Sequence, residues 1–381
     1  MTAVPPALPD EILAPPFIDQ LRGRTRHVPV TAALVAANLA VFASMLIAGA
    51  GLWHAPNTVQ LDWGANFGPA TKDGEWWRLA SAMFLHFGLL HLAVNMLALV
   101  EAGRWVERAL GSARFLLLYL GSGLAGNLLS LVMQGDRGIS GGASGAVFGI
   151  YAALLVAVWQ ERNDLARAEF RWLFWGGMAF TAINIAFGLL IKGIDNGAHA
   201  GGFLFGLLAA IALARPSLQG ERLPRRLRAG VTVLMIAGVA LLVAVIPAPA
   251  YDWSDEVAAR EEIRQFMGTD TMITDHWNAL IEAGRHDGLS FEELATRIDS
   301  EVADRYGASF EQLATRHLDP RAPSVTTLEQ LKHYAELRRT VSHDLAEALR
   351  AGDSGQIRQA IDKAKAARLI RKDHSGPVSG D

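Results

Sequence analysis

The 381-residue chain contains no cysteine. A thiol nucleophile, a thiolate metal site and a disulfide are therefore all excluded. Charged residues are also scarce, at 19% of the chain against 51% apolar residues, and the formal net charge is only −3. This balance argues against a nucleic-acid partner, which would require a strongly basic surface.

The few charges are unevenly distributed. Apolar stretches dominate the first two-thirds of the chain, whereas residues 251–381 are rich in Asp, Glu, Arg and Lys. The pattern predicts an all-α fold, in which a polytopic membrane helical bundle precedes a soluble helical domain. The apolar runs predict seven membrane spans, at Val28–Leu52, Ser81–Ala102, Ala113–Met133, Ser144–Trp159, Trp172–Ile191, Ala198–Ala214 and Ala229–Ile246. Spans four and six are short for a full crossing, which indicates helices that begin inside the bilayer.

Arginine is concentrated in alternate loops. The arginine-rich segments precede span one and lie between spans two and three, four and five, and six and seven. Their arginines are Arg22, Arg24, Arg26, Arg104, Arg108, Arg114, Arg162, Arg167, Arg171, Arg215, Arg222, Arg225, Arg226 and Arg228. The alternate loops carry only Lys72, Arg78, Arg137 and Lys192. The positive-inside rule therefore predicts a cytoplasmic N-terminus and an extracytoplasmic C-terminus. We expect a multi-pass protein of a bacterial inner membrane, divided into a flexible cytoplasmic N-terminus (1–27), a six-span core (28–214), a basic loop with the seventh span (215–250) and an extracytoplasmic helical domain (251–381).

A serine and a histidine each lead a separate apolar run. Ser144 lies 16 residues before Gln160, and His199 lies 16 residues before Arg215, the first strongly polar residues after the two runs. At a rise of roughly 1.5 Å per residue, both side chains are about 24 Å from the same membrane face. Serine needs a base to become a nucleophile, and histidine is the usual base. The matching depth predicts contact between them and a hydrolytic pair inside the bilayer.

The second predicted span supplies His86, His91 and Asn95. His91 and Asn95 are four residues apart, so they share one helix face. Together with the Ser144 backbone N–H they are candidates for stabilising an oxyanion. Another interpretation remains for each residue: Ser144 in its glycine-rich segment could be a packing residue, and the His91–Asn95 pair could bond neighbouring helices.

This combination resembles the rhomboid family of intramembrane serine proteases from about span one through span six. The motifs that carry the resemblance are GxSG at Gly142-Ala143-Ser144-Gly145, AHxxGxxxG from Ala198 to Gly206, the His86, His91 and Asn95 pattern, Trp77-Arg78 in the first loop, and Gly103, Glu107 and Gly111. Several separated motifs in the right order make the resemblance specific. It does not extend to the C-terminal domain.

The resemblance implies a Ser144–His199 dyad that cleaves the transmembrane segments of substrate proteins through an acyl-enzyme, with His91 and Asn95 as oxyanion stabilisers. It implies structural roles near the site for His86, Gly142, Gly145, Trp77, Arg78 and Gly202, and for Glu107. In one departure, Phe148 stands where some members place a tyrosine against the histidine, and we expect it to pack on the ring. No metal or organic cofactor is implied. Rival hypotheses are an inactive rhomboid-like binding protein, which would have lost Ser144 or His199, and a transporter, which would show internally repeated halves.

In the C-terminal domain, residues 290–297 recur almost unchanged as residues 309–316. Ser290 with Glu293 and Ser309 with Gln312 form capping boxes, so both copies are predicted to start helices, arranged as a hairpin. Asp195 precedes His199 by four residues and is interpreted as a helix cap rather than an orienting acid. The domain's scattered histidines show no ligand spacing. An extracytoplasmic protein partner is one expectation for this domain.

Overall fold

The computed structural model describes residues 16–191, 193–286 and 288–374. The chain divides after Ala248 into two compact units. We call residues 16–248 the membrane unit and residues 249–374 the C-terminal unit, and each is described by itself.

The membrane unit is built almost entirely from helices. They are α1 (Phe17–Arg24), α2 (Pro29–Ile47), α3 (Asn57–Asp62), α4 (Gly68–Lys72), α5 (Arg78–Ser81), α6 (Leu89–Leu110), α7 (Ser112–Gln134), α8 (Ser144–Gln160), α9 (Arg167–Leu190), α10 (Asn196–Ala212) and α11 (Arg225–Val245). Two short strands, β1 (Asn66–Phe67) and β2 (Ile139–Ser140), pair antiparallel, with Asn66 opposite Ser140.

Five of these helices, α2, α6, α7, α9 and α11, are long and apolar enough to cross a membrane. The apolar helices α8 and α10 have 17 residues each. The prediction of an all-α, multi-pass integral membrane protein is confirmed, and the two short helices are the fourth and sixth predicted spans.

Helix α8 lies at the centre of the membrane unit, because α6, α7, α9 and α10 all pack on it. Its residues from Gly145 to Leu155 are all buried. Helix α11, by contrast, has no buried residue and presents its apolar side chains outward. A helix that is apolar on every side yet exposed in the protein alone is typical of a lipid-facing span.

Two predictions for the membrane unit are wrong. The second span is Leu89–Leu110 rather than Ser81–Ala102, because α5 and a 3₁₀ turn at Ala82–Phe84 occupy the preceding residues and α6 continues past Ala102. His86 therefore lies before the helix and not on it. The N-terminal stretch is also not flexible throughout: α1 forms within it and buries Phe17 and Leu21. Residues 1–15 of that stretch lie outside the described residues, as does Lys192.

The C-terminal unit contains α12 (Trp253–His286), α13 (Phe291–Ile298), α14 (Asp304–Ala314), α15 (Val325–Ala351) and α16 (Ser354–His374). Ser290 caps α13, as predicted, by accepting a hydrogen bond from the Glu293 N–H. The prediction for Ser309 is wrong, because Ser309 lies inside α14 and its hydroxyl bonds the Arg305 carbonyl. A π-helical turn at Asp299–Ala303 joins α13 to α14 without a break, so the repeat is one continuous helix and not a hairpin.

Candidate active site

Ser144 is the first residue of α8, at the end of a glycine-rich segment. Gly142 has a φ of +131°, a conformation that other residues rarely adopt. A Cβ at this position would also lie 2.8 Å from the His91 ring. The Gly142 N–H donates to the Ala82 carbonyl at 2.8 Å, which fixes the approach to the helix. The chain thus needs glycine here to bring the Ser144 backbone beside His91.

His199 lies in the first turn of α10 and is buried. Its Nε2 is 3.0 Å from the Ser144 Oγ, as the depth argument predicts. The Phe148 ring stacks on the imidazole with centroids 4.2 Å apart and planes 9° from parallel. The expectation that phenylalanine packs on this ring is therefore confirmed. A serine hydroxyl within hydrogen-bond reach of a ring-stacked histidine is the arrangement that general-base activation requires.

Glycines hold α8 and α10 close enough for this contact. A Cβ on Gly202 would lie 1.9 Å from the Gly145 carbonyl oxygen, and a Cβ on Gly206 would lie 2.3 Å from that of Gly149. Gly202 therefore packs α10 on α8, as predicted, one turn after His199. Gly145 follows Ser144 directly, so the backbone contact adjoins both side chains of the pair.

The pair opens into a cavity of about 840 Å³ that His91 and Asn95 also line. Asn95 is buried, and its Nδ2 donates to the His91 carbonyl at 3.0 Å, which turns the amide along α6. The His91 ring faces Gly142 and stacks on Phe87 with centroids 6.1 Å apart. The two candidate oxyanion donors thus lie on the same cavity wall as the loop that carries Ser144.

His86 packs against the ring of His91. It is completely buried, and its ring meets the His91 ring edge-on, with centroids 5.1 Å apart. The His86 carbonyl accepts a hydrogen bond from the Gln60 side chain at 3.0 Å. This bond ties α3 to the segment before α6, so His86 contacts the site through another ring rather than facing Ser144 itself.

Trp77 and Arg78 hold the loop between α2 and α6. The buried Arg78 guanidinium donates to the Leu61 and Ala65 carbonyls at 2.6 and 3.2 Å and pairs with Glu75. It also lies over the half-exposed Trp77 ring, 4.9 Å from the centroid. The buried guanidinium thereby supplies hydrogen-bond donors to the backbone carbonyls of a turn that lacks regular backbone hydrogen bonds.

Glu107 of α6 carries a fully buried carboxylate that lies against the start of α2. It accepts hydrogen bonds from the Val30 and Thr31 backbone N–H groups at 3.0 and 2.7 Å and from the Thr31 and Ser112 hydroxyls at 2.7 and 2.6 Å. A carboxylate that accepts hydrogen bonds from the otherwise unpaired N–H groups of a helix N-terminus is stabilised both by those bonds and by the helix dipole.

The residues that tie the first loop to the segment leading into Ser144 were not predicted from the sequence. Lys72 and Asp136 form an ion pair at 2.5 Å, beside the pairing of β1 with β2. Asn127, a polar residue inside an apolar run, lines the cavity and donates to the Leu79 carbonyl at 2.7 Å. Its own carbonyl accepts from Asn66 at 3.1 Å. The signal that could have found Asn127 was an amide at membrane depth, which requires specific partners.

These features define a class: an integral membrane helical protein with a serine–histidine pair at the ends of two short helices, open to a cavity. A family model described as the Rhomboid domain matches residues 73–216. The putative rhomboid protease YdcA of Bacillus subtilis (strain 168) is 37% identical over 151 residues, which is 40% of this chain and 71% of YdcA. The chain belongs to the rhomboid family.

Other relatives are longer than the matched region. Rhomboid protease GluP of Bacillus subtilis (strain 168) is 36% identical over 202 residues, covering 53% of this chain and 38% of GluP. RHOMBOID-like protein 2 of Arabidopsis thaliana is 40% identical over 178 residues, covering 44% of this chain and 54% of the plant protein. The chain therefore spans less than two-thirds of these relatives, and the matched model ends before the C-terminal unit.

Proposed function

We propose that this protein is an intramembrane serine endopeptidase that cleaves the transmembrane segments of substrate proteins. The observation that carries the proposal is the 3.0 Å contact between the Ser144 Oγ and the His199 Nε2, at the ends of two apolar helices. Family membership and the rhomboid proteases among the relatives support it. In this proposal Ser144 is the nucleophile and His199 is the general base.

The dyad acts in two stages. The Ser144 hydroxyl attacks the scissile carbonyl carbon while its proton passes to the His199 Nε2, and the imidazolium then protonates the leaving amine. Water, activated by the same ring, hydrolyses the acyl-enzyme. The Phe148 ring restricts the imidazole to one plane throughout, because it lies flat on it.

Negative charge develops on the carbonyl oxygen in both stages. The donors proposed for it are the Asn95 amide, the His91 ring and the Ser144 backbone N–H, which belong to three residues that line the cavity. Such donors lower the barrier because they are aligned before the charge appears, in a site that excludes bulk water.

The cavity wall suits a substrate backbone that has left its helix. Apolar side chains such as Phe87, Val94 and Phe180 line it together with the polar Asn127 and Asn184. A helical substrate hides its carbonyls in internal hydrogen bonds until it unwinds, so the polar groups would replace those bonds as the segment enters. The substrates are therefore proposed to be transmembrane proteins in the surrounding bilayer.

The arginine distribution supports a bacterial inner-membrane orientation in which the N-terminus is cytoplasmic and Ser144 faces the extracytoplasmic side. With α11 as a seventh span, residues 251–381 are extracytoplasmic and available to substrate ectodomains or to a protein partner. Truncation after Pro247 should leave cleavage of a short transmembrane substrate intact and reduce cleavage of full-length substrates. Digestion of residues 251–381 by protease added only from the cytoplasmic side would contradict this topology.

The central experiment is covalent labelling of the detergent-solubilised protein by a fluorophosphonate, combined with cleavage of a model transmembrane substrate. Ser144→Ala and His199→Ala should each abolish both signals with little change in thermal stability, and the double variant should behave like either single one. Ser130→Ala is a matched control, since Ser130 is a buried serine on α7 whose hydroxyl pairs with the Gln134 side chain rather than with His199. Substrate turnover above background in Ser144→Ala or His199→Ala would remove that residue from the dyad.

A further inference from the structure

Asp195 has a second carboxylate oxygen that the helix cap does not use. Its Oδ1 accepts a hydrogen bond from the Ala198 N–H at 2.9 Å and so caps α10. Its Oδ2 is buried and has no hydrogen-bond partner among the residues that the structure describes. A buried carboxylate oxygen without a donor is costly, so its presence in a cavity wall calls for an explanation.

His199 carries the complementary feature. For the Nε2 to accept the Ser144 proton, the ring proton must be on Nδ1. The Nδ1 is also buried and without a partner among the described residues. One ring nitrogen of the proposed base thus requires an acceptor, while a carboxylate oxygen one helical turn earlier requires a donor.

Asp195 and His199 both line the same cavity. Their two unpaired atoms do not bond each other directly, and both are buried from bulk water, so the charge of the carboxylate is poorly screened from the ring. The Asp195 charge is also close enough to act electrostatically on the His199 ring. The same carboxylate can therefore cap α10 through one oxygen and act on the base through the other.

We propose that Asp195 is a positioning residue that favours the Nδ1–H tautomer of His199 and stabilises its imidazolium form from one helical turn away. The inference rests on the proposed Ser144–His199 function. When Ser144 attacks, its proton moves to Nε2 and the Nδ1 proton stays in place. The ring then carries one positive charge opposite the carboxylate, and Asp195 itself neither gains nor loses a proton.

Other titratable and charged groups lie near the ring or line the cavity. His91 of α6 is close enough to act on the ring, and Arg137 and His54 line the same cavity. Lys192 lies outside the described residues. These groups remain in place when only Asp195 is changed, so a comparison of Asp195 variants isolates the carboxylate.

The test separates the cap from the charge. Asp195→Asn and Asp195→Ser both retain an N-cap acceptor, and both remove the charge. Asp195→Ala removes the cap and the charge together. Asp164→Asn is the control for a lost carboxylate elsewhere, because Asp164 is half-buried just beyond the far end of α8 from Ser144, where its carboxylate accepts a hydrogen bond from Gln219.

The measurement is the rate of Ser144 labelling by a fluorophosphonate between about pH 3 and pH 9, in the full-length protein. A nearby negative charge favours the imidazolium, so its loss lowers the pH of half-maximal labelling, here by about 1 pH unit. A weaker base also lowers the plateau rate, by on the order of tenfold. Asp195→Asn and Asp195→Ser should show both changes at wild-type thermal stability, and Asp195→Ala should show them with a lower Tm.

Wild-type pH profiles in both capped variants, with only a Tm loss in Asp195→Ala, would overturn the proposal and leave Asp195 as a cap. A shift of equal size in Asp164→Asn would overturn it as well, since the effect would then be general. Failure of the underlying function looks different: the wild-type protein itself would show no labelling that depends on Ser144.

Discussion

We expect the substitution Gly202→Ala to abolish most of the cleavage activity while the membrane unit stays folded. An ideal Cβ on Gly202 lies 1.9 Å from the Gly145 carbonyl oxygen. An ordinary carbon–oxygen contact is at least about 3.3 Å, so α10 and α8 must separate by roughly 1.4 Å. Gly145 follows Ser144, and Gly202 is one turn after His199, so the separation acts directly on the pair.

The geometry sets the size of the effect. The Oγ–Nε2 distance is 3.0 Å, and an added ångström exceeds the limit of a hydrogen bond. A misplacement of about 1 Å can cost on the order of 100-fold in rate. The cost in stability is smaller, about 1–3 kcal/mol for overpacking, and is partly offset because alanine favours a helix by about 1 kcal/mol over glycine.

The assay compares cleavage rate with thermal unfolding in detergent for three variants. Gly176→Ala is the matched control, because a Cβ on this glycine of α9 meets nothing within 4 Å, and it should keep full activity. Gly206→Ala clashes with Gly149 one turn farther from His199, so it should lose stability with a smaller loss of rate. A wild-type rate in Gly202→Ala, or equal rate losses in Gly202→Ala and Gly206→Ala, would refute the reasoning.

Three further changes test other contacts. Asn95→Ala should lower kcat by on the order of 10- to 1000-fold with little change in KM, since an oxyanion donor acts mainly in the transition state; a change in KM alone would contradict this role. Glu107→Ala strands buried donors at the start of α2 and should destabilise the membrane unit by about 3–5 kcal/mol, measured by thermal unfolding; an unchanged Tm would show that the cap is dispensable. Hydrogen bonds from Arg297 and then His276 hold the pKa of Glu301 below its usual value of 4.5, so this stabilisation is present above that pH and is lost as pH falls through the lowered pKa. Glu301→Gln should therefore flatten the loss of hydrogen-exchange protection around α13 below about pH 4.5, and an unchanged acid response would refute it.

The contact between Ser144 and His199 could be predicted from the sequence, because depth along a helix is set by residue count. Ser144 is the first residue of α8 and His199 the fourth residue of α10, so each lies in the first turn of a 17-residue apolar helix, at a similar level. The roles inferred for Arg78, Glu107 and Gly202 rested on motif resemblance, and the structure supplies a physical reason for each. The second oxygen of Asp195 could not be predicted, because whether an atom lacks a partner depends on every neighbouring element.

Hydropathy misplaced the start of the second span for a specific reason. Residues 82–85 are apolar, and Met83 and Leu85 are buried, but they pack against the protein rather than face lipid. An apolar run indicates that a segment is excluded from water, but it does not distinguish burial within the protein from exposure to lipid. The segment turns instead of continuing as a helix, and this turn places His86 behind His91.

The repeat in the C-terminal unit forms one continuous helix instead of the predicted hairpin, and helix geometry explains how. Its two copies are 19 residues apart, so in a regular α-helix of 3.6 residues per turn their equivalent positions would point about 100° apart. Similar apolar patterns on one straight α-helix would then face different directions. A π-helical turn at Asp299–Ala303 separates the copies, and with i→i+5 bonds it rotates less per residue than an α-helix. The turn thus brings the equivalent leucines Leu294 and Leu313 into one buried core. The residues of the turn do not by themselves predict a π-helical geometry. The physical reason for the geometry is that both leucines must be buried on a single helix.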